Sequence, residues 1–136
     1  VVENEGELKH IDVTLPDSLK VVLFIPDFSM PTEDSRRSLP DKISREDAIY
    51  NIGRTALLIA SLAANELQML SIASQDVLHQ PARSKFFPAM NDIFQSAQDA
   101  GALCTYLSGG GSTICALTEN KEKEIGKAMS DTGNNL

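Results

Sequence analysis

Residues 101–117, GALCTYLSGGGSTICAL, decide the fold. The two ends of this stretch, residues 102–107 and 113–117, are short apolar runs that predict two β-strands. Residues 108–112 between them predict a hairpin connection. Because consecutive glycines remove every Cβ from the turn, its backbone can adopt positive φ angles and approach a ligand closely.

Successive N–H groups in such a turn can form an anion-binding concavity. A hairpin also needs glycine for its geometry alone, so both explanations stand. The turn matches neither a Walker A loop nor a dinucleotide fingerprint, because the Lys-Ser ending of the first is missing. A predicted strand also follows the turn, where both of those motifs continue into a helix.

Outward from the hairpin, the N-terminal part of the chain predicts strands and a loop. Residues 19–25, LKVVLFI, are β-branched and apolar and lie between two Pro-Asp pairs, which predicts a buried strand. Residues 7–15 predict a shorter strand. Residues 29–40 predict a polar loop with proline near both ends.

The middle of the chain predicts a helix that begins after Ser44. Ser44 and Asp47 make a loose capping box. Apolar residues then recur at steps of three and four, which predicts a buried helix face. That face comprises Ile49, Ile52, Ala56, Ile59 or Ala60, Ala63 and Leu67. The opposite, solvated face is predicted to carry Asp47, Asn51, Arg54 and Ser61.

Three further helices are predicted at residues 66–80, 88–100 and 121–129. Pro81 should end the first of them, and Gly101 is well placed to cap the second. Residues 131–136 predict a loose polar tail. Strands, helices, a hairpin and a last helix predict an α+β fold, with an antiparallel sheet and helices on one face. The length predicts a single domain over residues 1–136.

Composition excludes several classes of function. The chain has 12 basic and 19 acidic residues, for a net charge of −7, which argues against a nucleic-acid partner. No apolar run reaches the length of a membrane span, and the N-terminus lacks the pattern of a signal peptide. The chain also starts without methionine, so we expect a fragment of a longer protein. A cytoplasmic location is the default expectation.

Two arginine-bearing segments are candidates for binding an anion. Thr32 and Arg36 lie four residues apart in the proline-bounded loop, and Arg offers a planar fork for carboxylate or phosphate. Arg83 follows Pro81, which fixes the direction of the chain. Ordinary surface arginines are the competing explanation for both segments.

Other polar residues give weaker signals. Asp76 and His79 lie three residues apart, but two ligands are too few for a metal site, so no metal site is predicted. Asn51 and Arg54 lie one helical turn apart and could cooperate, but a solvated helix face is the more usual explanation. If the hairpin turn centres between Gly109 and Gly110, Cys104 and Cys115 lie opposite each other; buried thiols are then favoured over a disulfide or a nucleophile.

The order of these elements resembles one family. Five segments follow one another along the chain: Pro26-Asp27, Thr32-x-x-x-Arg36-x-x-Leu39-Pro40, Asn51-x-x-Arg54, His79-x-Pro81-x-Arg83 and Ser108-Gly109-x-Gly111. In this order they are similar to the C-terminal half of the homoserine kinases, within the GHMP small-molecule kinase superfamily. The resemblance covers roughly residues 19–117. It implies the ferredoxin-like C-terminal domain of GHMP kinases.

The resemblance also implies an activity and a set of site residues. The family transfers the γ-phosphoryl group of MgATP to the side-chain hydroxyl of L-homoserine, in threonine biosynthesis. It implies that Arg36 and Arg83 hold the substrate carboxylate and that Thr32 lies beside the substrate. It implies that Gly109, Gly110 and Gly111 line the active site. No catalytic residue and no metal ligand is assigned in this chain.

Two departures from the family pattern limit what the chain can do. Ser112 stands where the family hairpin usually has proline, which frees φ and adds an N–H group. The phosphate loop that binds ATP and the residues that hold Mg²⁺ belong upstream of this sequence. We therefore expect the chain to be inactive alone and to need the N-terminal domain of the same enzyme. A homodimer remains open, and a plastid location is expected if the source is a plant or alga.

Two alternatives remain. One is a GHMP kinase with a different acceptor, for which an acceptor without a carboxylate would leave Arg36 and Arg83 without a role. The other is a non-catalytic ferredoxin-like module that binds an amino acid.

Overall fold

A three-stranded antiparallel sheet forms the centre of the molecule, in a computed structural model that describes residues 1–134 apart from the side chains of Thr32 and Asp34. The strand order is β3-β5-β4. These strands are β3 (Lys20–Phe24), β4 (Cys104–Leu107) and β5 (Ile114–Thr118). A separate hairpin near the N-terminus pairs β1 (Val2–Asn4) with β2 (Glu7–Lys9).

Six helices accompany the strands within the described residues. They are α1 (Thr32–Arg37), α2 (Arg45–Ala64), α3 (Leu70–Ala73), α4 (Gln80–Arg83), α5 (Met90–Asp99) and α6 (Glu122–Asn134). Short 3₁₀ turns precede α3 at Leu67–Met69 and follow α4 at Ser84–Phe86. The predicted α+β class is confirmed.

Both faces of the sheet are covered. Helices α5 and α6 lie on one face, where Ile93 and Ile125 are fully buried against Ile114 and Ala116. The predicted arrangement of helices on one face holds for this pair. The other face is not bare, however, because Leu67 and Leu70 pack there in a second core. That core also contains Cys104, Cys115 and Leu117, with Leu58 and Leu62 of α2 packed against it.

The predicted hairpin strands are confirmed, and β5 is buried along its whole length. The register differs from the expected one, because Cys104 pairs with Leu117 and Tyr106 pairs with Cys115. The two cysteines are therefore diagonal neighbours on one face rather than directly opposite. Both are free and buried, as the prediction of buried thiols requires.

The prediction of a buried strand at residues 19–25 is wrong in its burial. Strand β3 is an edge strand that pairs only with β5. Val22 and Phe24 pack against the core, whereas Val21 and Leu23 are 57% and 54% exposed. Successive side chains of a strand point to opposite faces, and the helices that cover the second face leave this edge uncovered.

The prediction for the faces of α2 is also wrong. The cap is confirmed, because Ser44 Oγ accepts a hydrogen bond of 2.9 Å from the Asp47 N–H. Ile49 and Ile52, predicted to be buried, are 62% and 68% exposed. The helix instead turns its Asn51 and Arg54 side toward the rest of the protein, because its docking is decided by Leu58 and Leu62 and by polar contacts described below.

Four further features differ from expectation. The predicted loop at residues 29–40 contains α1, and the predicted helix at residues 66–80 is broken into a 3₁₀ turn, α3 and a loop. Pro81 lies in the first turn of α4 rather than ending a helix, since a helix tolerates proline where its N–H has no intrahelical partner. The predicted strand at residues 7–15 is only β2.

The last two predicted helices are confirmed in type. Helix α5 ends before Gly101, which has a φ of +105° and donates to the Gln98 carbonyl at 2.9 Å, as its predicted capping role requires. Helix α6 continues to Asn134, so most of the predicted loose tail is helical. Residues 135 and 136 of that tail lie outside the described part of the chain.

Candidate functional site

The glycine turn is packed closely against the segment before α1. A Cβ built on Gly111 would lie 3.0 Å from Met30 Sδ and 3.4 Å from a Leu107 methyl carbon. Gly109 and Gly111 have φ angles of +58° and +90°, a region that favours glycine. The backbone of the turn therefore packs closely against the protein itself, and its approach to a ligand stays a prediction.

Helix α1 is tied to the turn by a buried serine. Ser35 is 2% exposed, and its Oγ donates a hydrogen bond of 3.0 Å to the Gly110 carbonyl. Ser112, at the position where the family has proline, donates to the Phe28 carbonyl at 2.5 Å. These two contacts hold α1 beside the hairpin. The backbone of Arg36, the residue after Ser35, therefore lies next to the turn. Arg36 itself is an exposed residue.

Thr32 begins α1, but its side chain lies outside the described part of the structure. Its predicted place beside a substrate stays a prediction.

Arg83 reaches the other end of the glycine turn. Its Nη1 donates a hydrogen bond of 3.0 Å to the Gly109 carbonyl. The Nε atom of Arg83 is shielded from solvent and has no partner among the described residues. The structure thus brings together Arg83 and the glycine turn, two features that are 26 residues apart in sequence.

A network of hydrogen bonds to Asp76 fixes the start of α4, the short helix that carries Arg83. The Asp76 carboxylate accepts from the backbone N–H groups of Leu78, His79 and Gln80 at 3.2, 2.8 and 2.5 Å. It also accepts from Asn51 Nδ2 at 2.5 Å and lies 3.1 Å from His79 Nδ1. Gln80 Oε1 then accepts from the Leu107 N–H at 3.0 Å, which ties α4 to the end of β4.

This network of hydrogen bonds lowers the pKa of Asp76. Burial alone would raise the pKa, but hydrogen bonds from the Gln80 N–H, Asn51 and His79 outweigh it and hold the pKa at about 2. The side chain therefore carries a full negative charge at neutral pH. That charge stabilises the N-terminal turn of α4, whose N–H groups lack intrahelical partners.

Asn51 and Arg54 are half-buried and not part of a solvated face. Asn51 Oδ1 accepts from the Val77 N–H at 3.1 Å, which adds to its bond with Asp76. The Arg54 guanidinium lies 4.3 Å from the centroid of the Tyr50 ring, and its Nη2 donates to Gln75 Oε1 at 3.3 Å. Sequence reasoning underestimated both residues, because their partners lie in a loop more than 20 residues away.

A cavity of about 580 Å³ lies between α2 and the sheet. Arg54 and Arg83 both line it, and Gly109 lies at its edge. Its apolar wall consists of Leu15, Leu19, Val21, Leu58, Leu62 and Leu117. The cavity therefore combines two cationic side chains with an aliphatic surface, which suits a small ligand that carries both an anionic and an apolar part.

Other chemistry finds no support among the described side chains. No group of three or more His, Cys, Asp or Glu residues there could hold a metal ion. Burial raises the pKa of the Cys104 thiol to about 11, so this thiol is a poor nucleophile at neutral pH. Within residues 1–134 no helix has the length and apolar character needed to cross a bilayer.

The described structure has an antiparallel sheet with a glycine turn held between two arginine-bearing helices. The family model described as GHMP kinases C terminal matches residues 54–135, more than half of the chain. The chain belongs to this family. The expected fold is therefore confirmed at the level of the family as well as of its secondary structure.

Similar proteins narrow the comparison further. The chain is 40% identical over 114 residues to a homoserine kinase of Aquifex aeolicus, covering 84% of this chain and 38% of the relative. It is 41% identical over 135 residues to a homoserine kinase of Caldanaerobacter subterraneus, covering 96% and 43%. The chain thus spans about two fifths of the length of these curated relatives.

A solved structure agrees with the sequence comparison. The crystal structure of a homoserine kinase from Cytophaga hutchinsonii superposes with a TM-score of 0.88 at 31% identity. The match covers 92% of this chain and 40% of that one. The resemblance predicted from the sequence motifs is confirmed.

Proposed function

We propose that this chain is the C-terminal part of an ATP-dependent homoserine kinase, which phosphorylates the side-chain hydroxyl of L-homoserine in threonine biosynthesis. The observation that carries the proposal is the similarity to proteins named homoserine kinase along 84–96% of the chain. Because the chain spans about two fifths of those relatives, the activity is proposed for the full-length protein.

In this proposal Arg36 and Arg83 hold the carboxylate of homoserine, and Thr32 lies beside the substrate. Gly109, Gly110 and Gly111 line the site near the substrate and the transferred phosphoryl group. The hydrogen bond between Arg83 and the Gly109 carbonyl supports this arrangement, because it holds a carboxylate-binding group at the edge of the turn. Phosphoryl transfer depends mainly on positioning and charge stabilisation, and both are roles these residues can fill.

The ATP phosphates and Mg²⁺ are assigned in this proposal to the N-terminal domain of the same enzyme. The side chains described here offer no cluster that fits a metal ion, so no step in this chain is assigned to the metal. When bound, Mg²⁺ neutralises charge on the transferred phosphates. A homodimer and a cytoplasmic location, or a plastid one in a plant or alga, belong to the same proposal.

The test is a substrate panel on the purified full-length protein. ADP release is measured with L-homoserine, mevalonate and galactose at equal concentrations, with and without ATP. Homoserine should be the preferred acceptor by a wide margin. Activity on mevalonate or galactose with none on homoserine would point to a GHMP kinase with another acceptor.

A second arm separates the kinase from a binding module. Calorimetric titration of L-homoserine into the protein is repeated in the presence of ATP. Sub-millimolar binding of homoserine with no ADP release under any condition would favour a non-catalytic amino-acid-binding domain and contradict the proposal.

A further inference from the structure

Arg54 is a charged residue near the site that has no role in the proposed function above. It lies on the inward side of α2, half-buried, with its guanidinium stacked on Tyr50 at 4.3 Å and steadied by Gln75 at 3.3 Å. Stacking of this kind restricts a side chain that otherwise samples many rotamers. The guanidinium is thus held in a defined position on the wall of the cavity between α2 and the sheet.

Arg54 forms no salt bridge with a carboxylate among the described side chains. Asp76 is the one acidic residue on the cavity wall, and its two oxygens already accept from the N–H groups of residues 78–80, from Asn51 and from His79. Neither Arg54 nor Arg83 forms a salt bridge among the described side chains. The cavity wall therefore carries two arginines outside any described salt bridge and a single carboxylate, in a chain with a net charge of −7.

Arg54 and Arg83 share a second property. The Nε atom of each is shielded from solvent and has no hydrogen-bond partner among the described residues. Buried donors are almost always paired in proteins. Because both Nε atoms are shielded from solvent, a ligand in the cavity would meet the Nη groups, and both arginines line that cavity.

We propose that Arg54 is a specificity-determining residue that binds, together with Arg83, the carboxylate of the acceptor. The inference rests on the proposed kinase function and extends it, because the family motif assigns only Arg36 and Arg83 to that carboxylate. A carboxylate has enough lone pairs for two guanidinium groups. The short aliphatic part of the acceptor lies against the leucine wall, and its hydroxyl points toward the glycine turn.

The experiment uses the full-length kinase with two acceptors that differ only in charge. One is L-homoserine and the other is its amide, which keeps the size and hydroxyl but lacks the carboxylate. Arg54→Gln should lower kcat/KM for L-homoserine about 10- to 100-fold, the size expected for a lost charge-assisted hydrogen bond. Its kcat/KM for the amide should change less than about threefold, and its KM for ATP should stay unchanged.

Arg45→Gln serves as the matched control, because it removes an exposed arginine from the same helix. It should leave both acceptors unaffected. Arg54→Lys keeps the charge without the planar fork and should show an intermediate loss that is again selective for L-homoserine. It also decides the question if Arg54→Gln does not fold.

An equal loss on the acid and the amide overturns the inference, since it would mean that Arg54 acts only through the structure of α2. No loss on either acceptor overturns it too. Failure of the proposed function looks different, because the unmodified protein would then not phosphorylate L-homoserine at all.

Discussion

The two segments that meet at the glycine hairpin differ in how firmly each holds its arginine. On one side, Asp76 caps the start of α4, Gln80 ties it to β4, and the Arg83 side chain itself donates to the Gly109 carbonyl. On the other side, Ser35 anchors the backbone of α1 to Gly110, but Arg36 is exposed. One arginine is positioned before any ligand arrives, whereas the other has only its backbone fixed.

This difference has an energetic meaning for binding. A side chain that is already ordered loses little entropy when it contacts a ligand, while an exposed arginine must give up its rotamer freedom. We therefore expect Arg83 to contribute more to acceptor binding than Arg36, although both are proposed to hold the same carboxylate.

The largest expected effect follows from removing Arg83. Arg83→Gln in the full-length protein should lower kcat/KM for L-homoserine about 100-fold or more, because a guanidinium already held in place by the Gly109 carbonyl is lost. KM for ATP should change far less. Lys85→Gln, which removes an exposed cation two residues away, is the control and should behave as the unmodified enzyme. Steady-state kinetics with each substrate varied in turn separate the two effects.

The next effect tests the α1 side of the hairpin. Gly111→Ala should destabilise the protein by about 2–4 kcal/mol, since its φ of +90° is strained for alanine and the new Cβ would lie 3.0 Å from Met30 Sδ. Gly110→Ala is the matched control, because its Cβ would lie at an ordinary 3.5 Å from Ser35 Oγ. Urea unfolding gives both free energies. Equal stability of the two variants would contradict the close packing of the segment before α1 on the turn.

The start of α4 is held by the charged carboxylate of Asp76, so the stability that this contact contributes should depend on pH. The pKa of Asp76 is lowered from 3.8 to about 2 in the folded protein. The stabilisation it provides is therefore complete above about pH 4 and is lost as the pH falls toward 2. Asp76→Asn should cost about 1–2 kcal/mol of unfolding free energy at pH 7. The difference from the unmodified protein should shrink across that acidic window in urea titrations, and a difference independent of pH would rule out the charge as its cause.

Local patterns predicted the parts of the site whose chemistry lies within a few residues. The turn at Gly109 to Gly111, the cap at Ser44 and the strands on either side of the turn follow from residue type and spacing alone. The loop between α3 and α4 also carries a local signal. Asp side chains often accept from backbone N–H groups a few residues further on, as Asp76 does from the Gln80 N–H at the start of α4.

The faces of α2 could not be predicted in the same way. Ile49 and Ile52 repeat at helical spacing, as core residues do, yet they are exposed, and Asn51 and Arg54 face inward instead. The helix has apolar residues on more than one side, so periodicity does not choose between them. Contacts with Asp76 and Gln75 decide which side of α2 faces inward. These two residues lie more than 20 positions from their partners on α2, so no local pattern indicates the contacts.

The smallest expected effect concerns Arg36, and it tests the comparison most directly. Arg36→Gln should raise KM for L-homoserine about 3- to 10-fold with little change in kcat, because an exposed side chain must be ordered by the ligand and gains less from the contact. Arg37→Gln is the control, since Arg37 is also exposed but pairs with Glu33 within α1. If Arg36→Gln costs as much as Arg83→Gln, then α1 must close over the acceptor and bury Arg36 in the complex. The preorganised and exposed arginines would then be equivalent once the substrate is bound.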